Sequence, residues 1–387
     1  MNILFITALP VRPNAGGIER VTHILANKFL NLNHKIFYLS PKTSEKFNDI
    51  SELQLFIDCE DKDYVKVFHD ILADKKIDLI INQGTFPETL CLLRNKPHHI
   101  KLITVLHNRP FAMHGLGSLY KKLTYPVTIK GRILKIIGTL APDFYIKNFD
   151  KFYKKNLSEF INLSDKLFLL SDLFTPRILN FMPELDPKKI DAVNNPNTFD
   201  LPDGTLPEKE NIVLFVARLE DPQKNVRGFI DVWNKFHKSH PEWKALIVGD
   251  GPHRKFFEDY AKKKKSKGLE FLGSRKDVDK LYGRSKILCM TSLYEGWGMV
   301  LVEALAYGCI PVVYDTFESL HEIISDGENG RIIPPFDADK MKDALIEIAD
   351  NENLRMRMAN KGKDSIKRFE ADAISEIWQK KFSDLGF

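Results

Sequence analysis

The sequence predicts an α/β protein of two doubly wound, Rossmann-like domains facing each other across a cleft. Three observations predict it. Short β-branched or apolar runs alternate with longer stretches of helical periodicity in both halves of the chain. The 387 residues exceed one ordinary hydrophobic core and suit two domains. A stretch rich in Pro, Asn and Asp without apolar periodicity, residues 194–211, interrupts the alternation, which then restarts.

In chain order, residues 3–8 form the first strand. No basic residue precedes this apolar run, and it ends in Pro10, Arg12, Pro13 and a glycine pair, so it reads as a buried strand and not as a signal peptide. Helix Gly17–Asn31 follows, with Ile18, Val21, Ile24, Leu25 and Phe29 at helical spacing. Further strands are expected at 35–39, 77–82, 101–107 and 166–170. Alternation of this kind argues for a parallel sheet covered on both faces. After the linker come a strand at 212–217, a helix at 226–238, a strand at 244–248 and a helix at 254–265. Strands at 287–291 and 310–314 flank a helix at 300–307, and a last helix spans 371–385. The domains are thus 1–198 and 199–370.

Hydrophobic residues at 43% and charged residues at 28% exclude a disordered or fibrous chain. No window holds 18 uncharged apolar residues, so no spanning helix is expected. Cys59, Cys91, Cys289 and Cys309 form no C-x-x-C pair and no zinc-type spacing; they read as reduced core residues of a cytoplasmic protein.

The stretch 292–304 (SLYEGWGMVLVEA) follows a strand, supplies two glycines and opens a helix. That order puts backbone N–H groups and the positive helix end where a phosphate would bind. Glu295 and Glu303 flank it, and carboxylates accept hydrogen bonds from sugar and ribose hydroxyls. In 216–225 (VARLEDPQKN), Arg218 leaves the end of a strand and Lys224 precedes the next helix. Two cations so placed suit a diphosphate leaving group, Arg as a bidentate donor and Lys as a point charge. Each stretch taken alone is equally compatible with an ordinary charged surface loop. The turn Gly249-Asp250-Gly251-Pro252 and the loop 10–17 (PVRPNAGG), with Gly16 and Gly17 at a helix start, follow strands as well. The latter is not G-x-G-x-x-G, which counts against a dinucleotide-dependent dehydrogenase. His107-Asn108 ends the strand at 101–107, a place where a histidine is more often structural than catalytic.

Together these blocks resemble the retaining glycosyltransferases of family 4, which have the GT-B fold and build bacterial surface polysaccharides and glycolipids. The resemblance covers most of the chain and rests on E-x7-E (Glu295 and Glu303), the Arg218…Lys224 pair, the Gly249–Pro252 turn and Gly308-Cys309-Ile310-Pro311-Val312-Val313. Asn195-Pro196 and Asp326-Gly327-Glu328-Asn329-Gly330 extend it. It implies transfer of a hexose-type sugar from a UDP- or GDP-type nucleotide sugar to a glycan or lipid-linked acceptor. Catalytic roles would fall to His107, Glu295, Arg218 and Lys224. Donor contacts would come from Gly16, Gly17, Arg218, Lys224, Gly249, Gly273, Glu295, Gly298, Met299, Val300 and Glu303. Glu303 would hold the ribose, Glu295 the donor sugar, and Gly298, Met299 and Val300 would offer backbone N–H groups. The glycines at 16 and 17 would admit the donor phosphates closely. No cofactor and no metal is expected, in keeping with the lack of a D-x-D after a strand, and the last helix would return to the first domain. The chain departs from the family at Asp315-Thr316-Phe317-Glu318-Ser319, where a glycine pair is common. The bulk of Phe317 implies a different sugar pocket or acceptor side. Asn108 stands where an acid is common. A nucleotide-sugar epimerase or hydrolase of the same fold is one rival and a silent sugar-binding protein another; the leaving-group cations speak against silence.

Net charge is +5 and unevenly placed. Residues 109–155 hold ten Lys/Arg against Asp143 and Asp150, and the remaining 340 residues carry 47 basic and 50 acidic groups. Aromatic residues interleave with these cations, and Ile129, Ile133, Ile136, Ile137 and Leu140 form one helical face opposite Arg132 and Lys135. Such a segment suits an anionic membrane surface, or equally a helix packed on its own domain with a solvated basic face. No nucleic-acid module accompanies the charge, and no obligate protein partner is evident.

Overall fold

The computed structural model describes residues 1–12, 16–41, 53–112, 142–199 and 208–387. The isoleucine face at 129–140 and the central part of the basic segment lie outside the described residues. The chain forms two compact units. One comprises Met1–Phe111, Asp150–Thr198 and Phe369–Phe387; the other is built on Phe199–Arg368.

The first unit is a seven-stranded sheet of β1 (Asn2–Ile6), β2 (Lys35–Pro41), β3 (Gln54–Ile57), β4 (Leu79–Gln83), β5 (Lys101–Leu106), β6 (Lys166–Leu169) and β7 (Ile190–Ala192). The strands run parallel in the order β3-β2-β1-β4-β5-β6-β7. Central strands such as β4 (LIINQ) are buried along their whole length, as a sheet covered on both faces requires. Helices α1 (Gly17–Asn31), α2 (Tyr64–Asp74), α3 (Leu90–Leu93), α4 (Pro142–Leu163, of which the residues from Asp150 on belong to this unit) and α5 (Thr175–Phe181) accompany it.

The second unit has β8 (Glu210–Val216), β9 (Lys244–Val248), β10 (Leu269–Gly273), β11 (Ser285–Met290), β12 (Ile310–Tyr314) and β13 (Arg331–Ile333). These too are parallel, in the order β10-β9-β8-β11-β12-β13. Its helices are α6 (Val226–Phe236), α7 (Arg254–Lys263), α8 (Val278–Arg284), α9 (Met299–Ala306), α10 (Leu320–Ile323), α11 (Ala338–Asp350) and α12 (Glu352–Ser365). One core joins Phe215, Phe229 and Trp233 to Ile287, Val312 and Leu345. Both sheets therefore have the doubly wound order that the strand alternation predicts.

The strands at 54–57, 190–192, 269–273 and 331–333 were not expected, and they are the four sheet edges. Edge strands are short and partly solvated, so the continuous apolar run that marks a buried strand is missing. The final helix, α13 (Ala371–Asp384), belongs to the first unit. Trp378 and Phe382 pack edge-on against Phe29 of α1, and Lys28 pairs with Asp372 at 2.6 Å.

One expectation is corrected. Cys59 and Cys91 are not separate reduced thiols: they are disulfide-bonded, with Cα atoms 6.3 Å apart. A separation of 32 residues hides this in the sequence, because only the packing of the β3 end beside α3 brings the two together. Cys289 and Cys309 are free and buried, as expected.

Gly249 has φ 128°, and a Cβ there would lie 1.9 Å from the Ala217 carbonyl oxygen. Gly249→Ala is expected to destabilise the second unit by roughly 2–4 kcal/mol, through a backbone clash added to a strained φ. Gly327 has φ 77° with open space around it, so Gly327→Ala should cost only about 1–2 kcal/mol for the left-handed backbone. Urea unfolding of both variants measures the difference, and equal losses would contradict the clash.

Candidate active site

In the second sheet the strand order reverses between β8 and β11. The chain leaves β8 for β9 on one side and comes back to β11 on the other, so the loops after β8 and β11 lie side by side. Ligands of doubly wound sheets bind at such a point. The two loops are stitched together. Leu293 N donates to Gln223 O at 2.7 Å, Asn225 Nδ2 to Thr291 O at 3.2 Å, and Thr291 Oγ1 to Asn225 O at 3.0 Å. Asn225 takes the left-handed conformation at φ 47° and caps α6, its Oδ1 accepting from Gly228 N at 3.2 Å.

This stitching places Lys224 Nζ 2.5 Å from Glu295 Oε1, with both side chains largely buried. The ammonium keeps N–H donors beyond the one given to Glu295. Arg218 is 69% exposed and meets Glu220 at 2.9 Å. Such a solvated pair is worth little and is readily exchanged for a phosphate. Beneath the loop Asp221 is buried and lies 3.4 Å from Arg227; burial pushes its carboxyl up to about 6 against the pull of that guanidinium.

Gly298 (φ 77°) precedes α9, which has no side-chain cap and no acid in its first turn. Met299 and Val300 form that first turn and are half-buried. Glu303 lies one turn further in, 2% exposed, with Oε2 accepting a 2.9 Å hydrogen bond from the Tyr282 hydroxyl. Phe317 is buried, and a Cβ at Gly298 would meet its ring at 3.4 Å. Ser319 Oγ donates to Gly296 O at 3.0 Å and Thr316 Oγ1 to Ser292 O at 2.7 Å, so the divergent 315–319 segment braces the glycine loop.

The glycine turn at 249–252 acts on backbone. Leu219 N donates to Asp250 O at 2.8 Å, and a Cβ at Gly251 would lie 2.5 Å from Leu219 O. Gly273 (φ 70°) accepts from Gly249 N at 2.8 Å. These glycines hold the strand end from which Arg218 leaves. The Asp326–Gly330 turn is likewise internal: Asn329 bonds Ile323 O, Ser365 Oγ and Ser325 N.

In the first unit, His107 follows β5 and its Nε2 lies 2.5 Å from Gln83 Oε1. Burial lowers its pKa to about 4, which leaves the imidazole neutral at ordinary pH. Asn108 is exposed. Gly16 and Gly17 lead into α1, and a Cβ at either would meet nothing closer than Glu19 Oε2 at 3.7 Å. The chain's own packing does not require glycine there. Glu19 also puts a carboxylate in the first turn of α1, with its pKa raised by burial. Of the two glycine-led helix starts, α9 is the one without an acid in its first turn.

Sequence reasoning missed Asn225, Gly228 and Tyr282. An Asn directly before a helical pattern is a capping signal that could have found the first. Tyr282 carried none, because its role depends on which helix lies beside α9. Among the described residues, no three His, Cys, Asp or Glu side chains gather as metal ligands would.

Residues 197–365 match the family described as glycosyl transferases group 1. Over 400 aligned residues, 100% of this chain and 99% of the relative, the chain is 30% identical to a Campylobacter jejuni GalNAc-alpha-(1->4)-GalNAc-alpha-(1->3)-diNAcBac-PP-undecaprenol alpha-1,4-N-acetyl-D-galactosaminyltransferase. It is 31% identical to a Mycolicibacterium smegmatis phosphatidyl-myo-inositol mannosyltransferase, over 48% of this chain and 50% of the relative. Among solved structures it resembles Anabaena Alr3699/HepE in complex with UDP, with a TM-score of 0.73, 16% identity and coverage of 99% and 100% of the two chains. A Staphylococcus aureus TarM variant in complex with alpha-GlcNAc-glycerol and UDP gives a TM-score of 0.73 at 13% identity, over 98% and 99%. At these identities the structural likeness is one of fold, the GT-B type. The full-length likeness to the C. jejuni transferase, with the family match over the second unit, settles the assignment: the chain belongs to the glycosyl transferases group 1 and is a glycosyltransferase.

Proposed function

We propose that the chain moves a hexose-type sugar, with retention of configuration, from a UDP- or GDP-type donor to a lipid-linked glycan in surface polysaccharide or glycolipid synthesis. The observation that carries the reading is the meeting of Lys224 and Glu295 at the β8/β11 switch point, with Arg218 and Glu303 on the elements that flank it. On this reading Lys224 and the solvent-facing Arg218 neutralise the diphosphate as it leaves, the task a divalent ion performs elsewhere. The open start of α9 adds backbone donors, Glu295 meets the sugar and Glu303 the ribose. The names of the similar proteins support the substrate class: the C. jejuni relative is named for an undecaprenol-linked acceptor, and HepE and TarM were crystallised with UDP.

Attachment to the inner face of the cell membrane belongs to the same proposal. No helix among the described residues is long and apolar enough to cross a membrane, so attachment would be peripheral. Phe152 is 67% exposed on α4 and Phe149 38%, beside exposed Lys147, Lys151 and Lys155. Each cation near an anionic surface contributes about 1 kcal/mol, and solvated apolar rings add to it.

Four outcomes are expected. Glu303→Ala and Arg218→Ala should each weaken nucleoside diphosphate binding by on the order of 1–3 kcal/mol, the range for hydrogen bonds to charged groups; unchanged affinity by calorimetry in both would remove the donor site. His107→Ala should lower kcat far more than donor affinity, since a neutral imidazole beside the sugar acts on the charge of the transition state. The same assay, run in excess chelator and read by NMR, should give a product with the donor's anomeric configuration. Loss of activity on chelation, an inverted linkage, or donor turnover that needs no acceptor would contradict the reading. Finally, liposomes containing anionic lipid should retain the protein in a salt-sensitive way, and Lys147, Lys151 and Lys155 changed to Glu should release it. Equal binding to neutral vesicles would point to a soluble acceptor.

A further inference from the structure

We infer that Tyr282 is a positioning residue for nucleotide recognition: its phenol orients the Glu303 carboxylate toward the ribose hydroxyls. The inference rests on the donor-site reading above and adds a residue to it. Tyr282 lies on α8, is fully buried, and donates its hydroxyl to Glu303 Oε2 at 2.9 Å. Glu303 has three side-chain torsions, and the Tyr282 hydroxyl is a contact from a neighbouring helix that bears on the rotation of its carboxylate. A carboxylate that reads a vicinal diol must present its lone pairs at a set angle.

The phenol itself is held from two sides. Tyr307, which caps the end of α9 one turn beyond Glu303, stacks on the Tyr282 ring at 6.4 Å and 27°, and Phe199 meets it edge-on at 6.2 Å. On the backbone side Lys209 Nζ donates to the carbonyl oxygens of Tyr282 (3.0 Å), Ser285 (3.0 Å) and Tyr307 (2.7 Å). One ammonium thus ties the end of α8 to the end of α9. The hydroxyl is therefore presented to Glu303 from a fixed place, and the hydrogen bond sets the carboxylate by geometry. A tyrosine that merely satisfied its own buried hydroxyl would affect stability, with no effect on which nucleotide is chosen. An orienting tyrosine affects the choice between ribose and deoxyribose, and leaves phosphate contacts alone.

The test is calorimetric titration with UDP and GDP, followed by the 2′,3′-dideoxy form of whichever binds. Wild type, Glu303→Ala, Tyr282→Phe and a variant with 4-aminophenylalanine at 282 are compared. Wild type should prefer the ribonucleotide by about 10-fold or more, the loss expected for hydroxyls bonded to a charged group. Glu303→Ala should abolish that preference. Tyr282→Phe, which keeps the ring, should lower it about 3-fold or more while leaving dideoxynucleotide affinity nearly unchanged. The amino variant, which keeps a donor at the same position, should retain it. If Glu303→Ala keeps the preference, or neither nucleotide binds, the donor-site reading falls and takes the inference with it. If Glu303→Ala loses it but Tyr282→Phe keeps it, or weakens both nucleotides equally, Tyr282 is structural and the inference alone is overturned. Should Tyr282→Phe fail to fold, the amino variant decides: loss of the preference there overturns the inference.

Discussion

In a parallel sheet each strand must be followed by a crossover, and right-handed crossovers carry the chain steadily to one side. To build on both sides of its first strand, the second unit has to turn back, and it does so between β10 and β11. β8 and β11 then lie adjacent with their following segments heading apart. Everything assembled at their carboxyl ends depends on that reversal. The loop with Arg218 and Lys224 and the loop with Glu295 are 71 positions apart at Lys224 and Glu295, yet bonded backbone to side chain along their length.

The reversal opens a space, and a second set of contacts makes it rigid. Glycines at 249 and 251 let the turn after β9 press on Ala217 and Leu219 at distances no side chain tolerates. Asn225 accepts a left-handed backbone to cap α6 and bond Thr291. Buried polar side chains gather here, Asp221, Asn225, Thr291, Ser292 and Glu295 among them, as they do where a loop must be held in one geometry. The Lys224–Glu295 pair follows the same logic. Removing one partner leaves the other charge largely buried, so each residue constrains the other even before any ligand arrives.

The two units use similar parts differently. Each has a glycine-led helix after a central strand, but α1 carries Glu19 in its first turn and α9 carries no acid there. An anion at the start of α9 would meet the positive helix end with no acid in the first turn, and one at the start of α1 would also meet the Glu19 carboxyl. His107 adds a neutral ring to the first unit, held by Gln83. A neutral imidazole can donate or accept one proton-bearing contact without bringing charge to it.

Periodicity and turn chemistry alone determined the fold class, the central strands and the ends of α1, β9 and β12, because buried parallel strands and amphipathic helices write their burial into neighbouring residues. The four edge strands escaped, since half their surface is solvated and leaves no continuous apolar run. Lys224 and Glu295 could be named from the sequence, but as separate groups with separate tasks. That they touch is a property of strand order. The same holds for Cys59 with Cys91, for Gly249 with Ala217, for Phe317 with Gly298 and for Tyr282 with Glu303. In each pair the chemistry belongs to two residues far apart in sequence. A local pattern records only what one segment needs from its own neighbours, so which segments meet was left to the packing of the sheets.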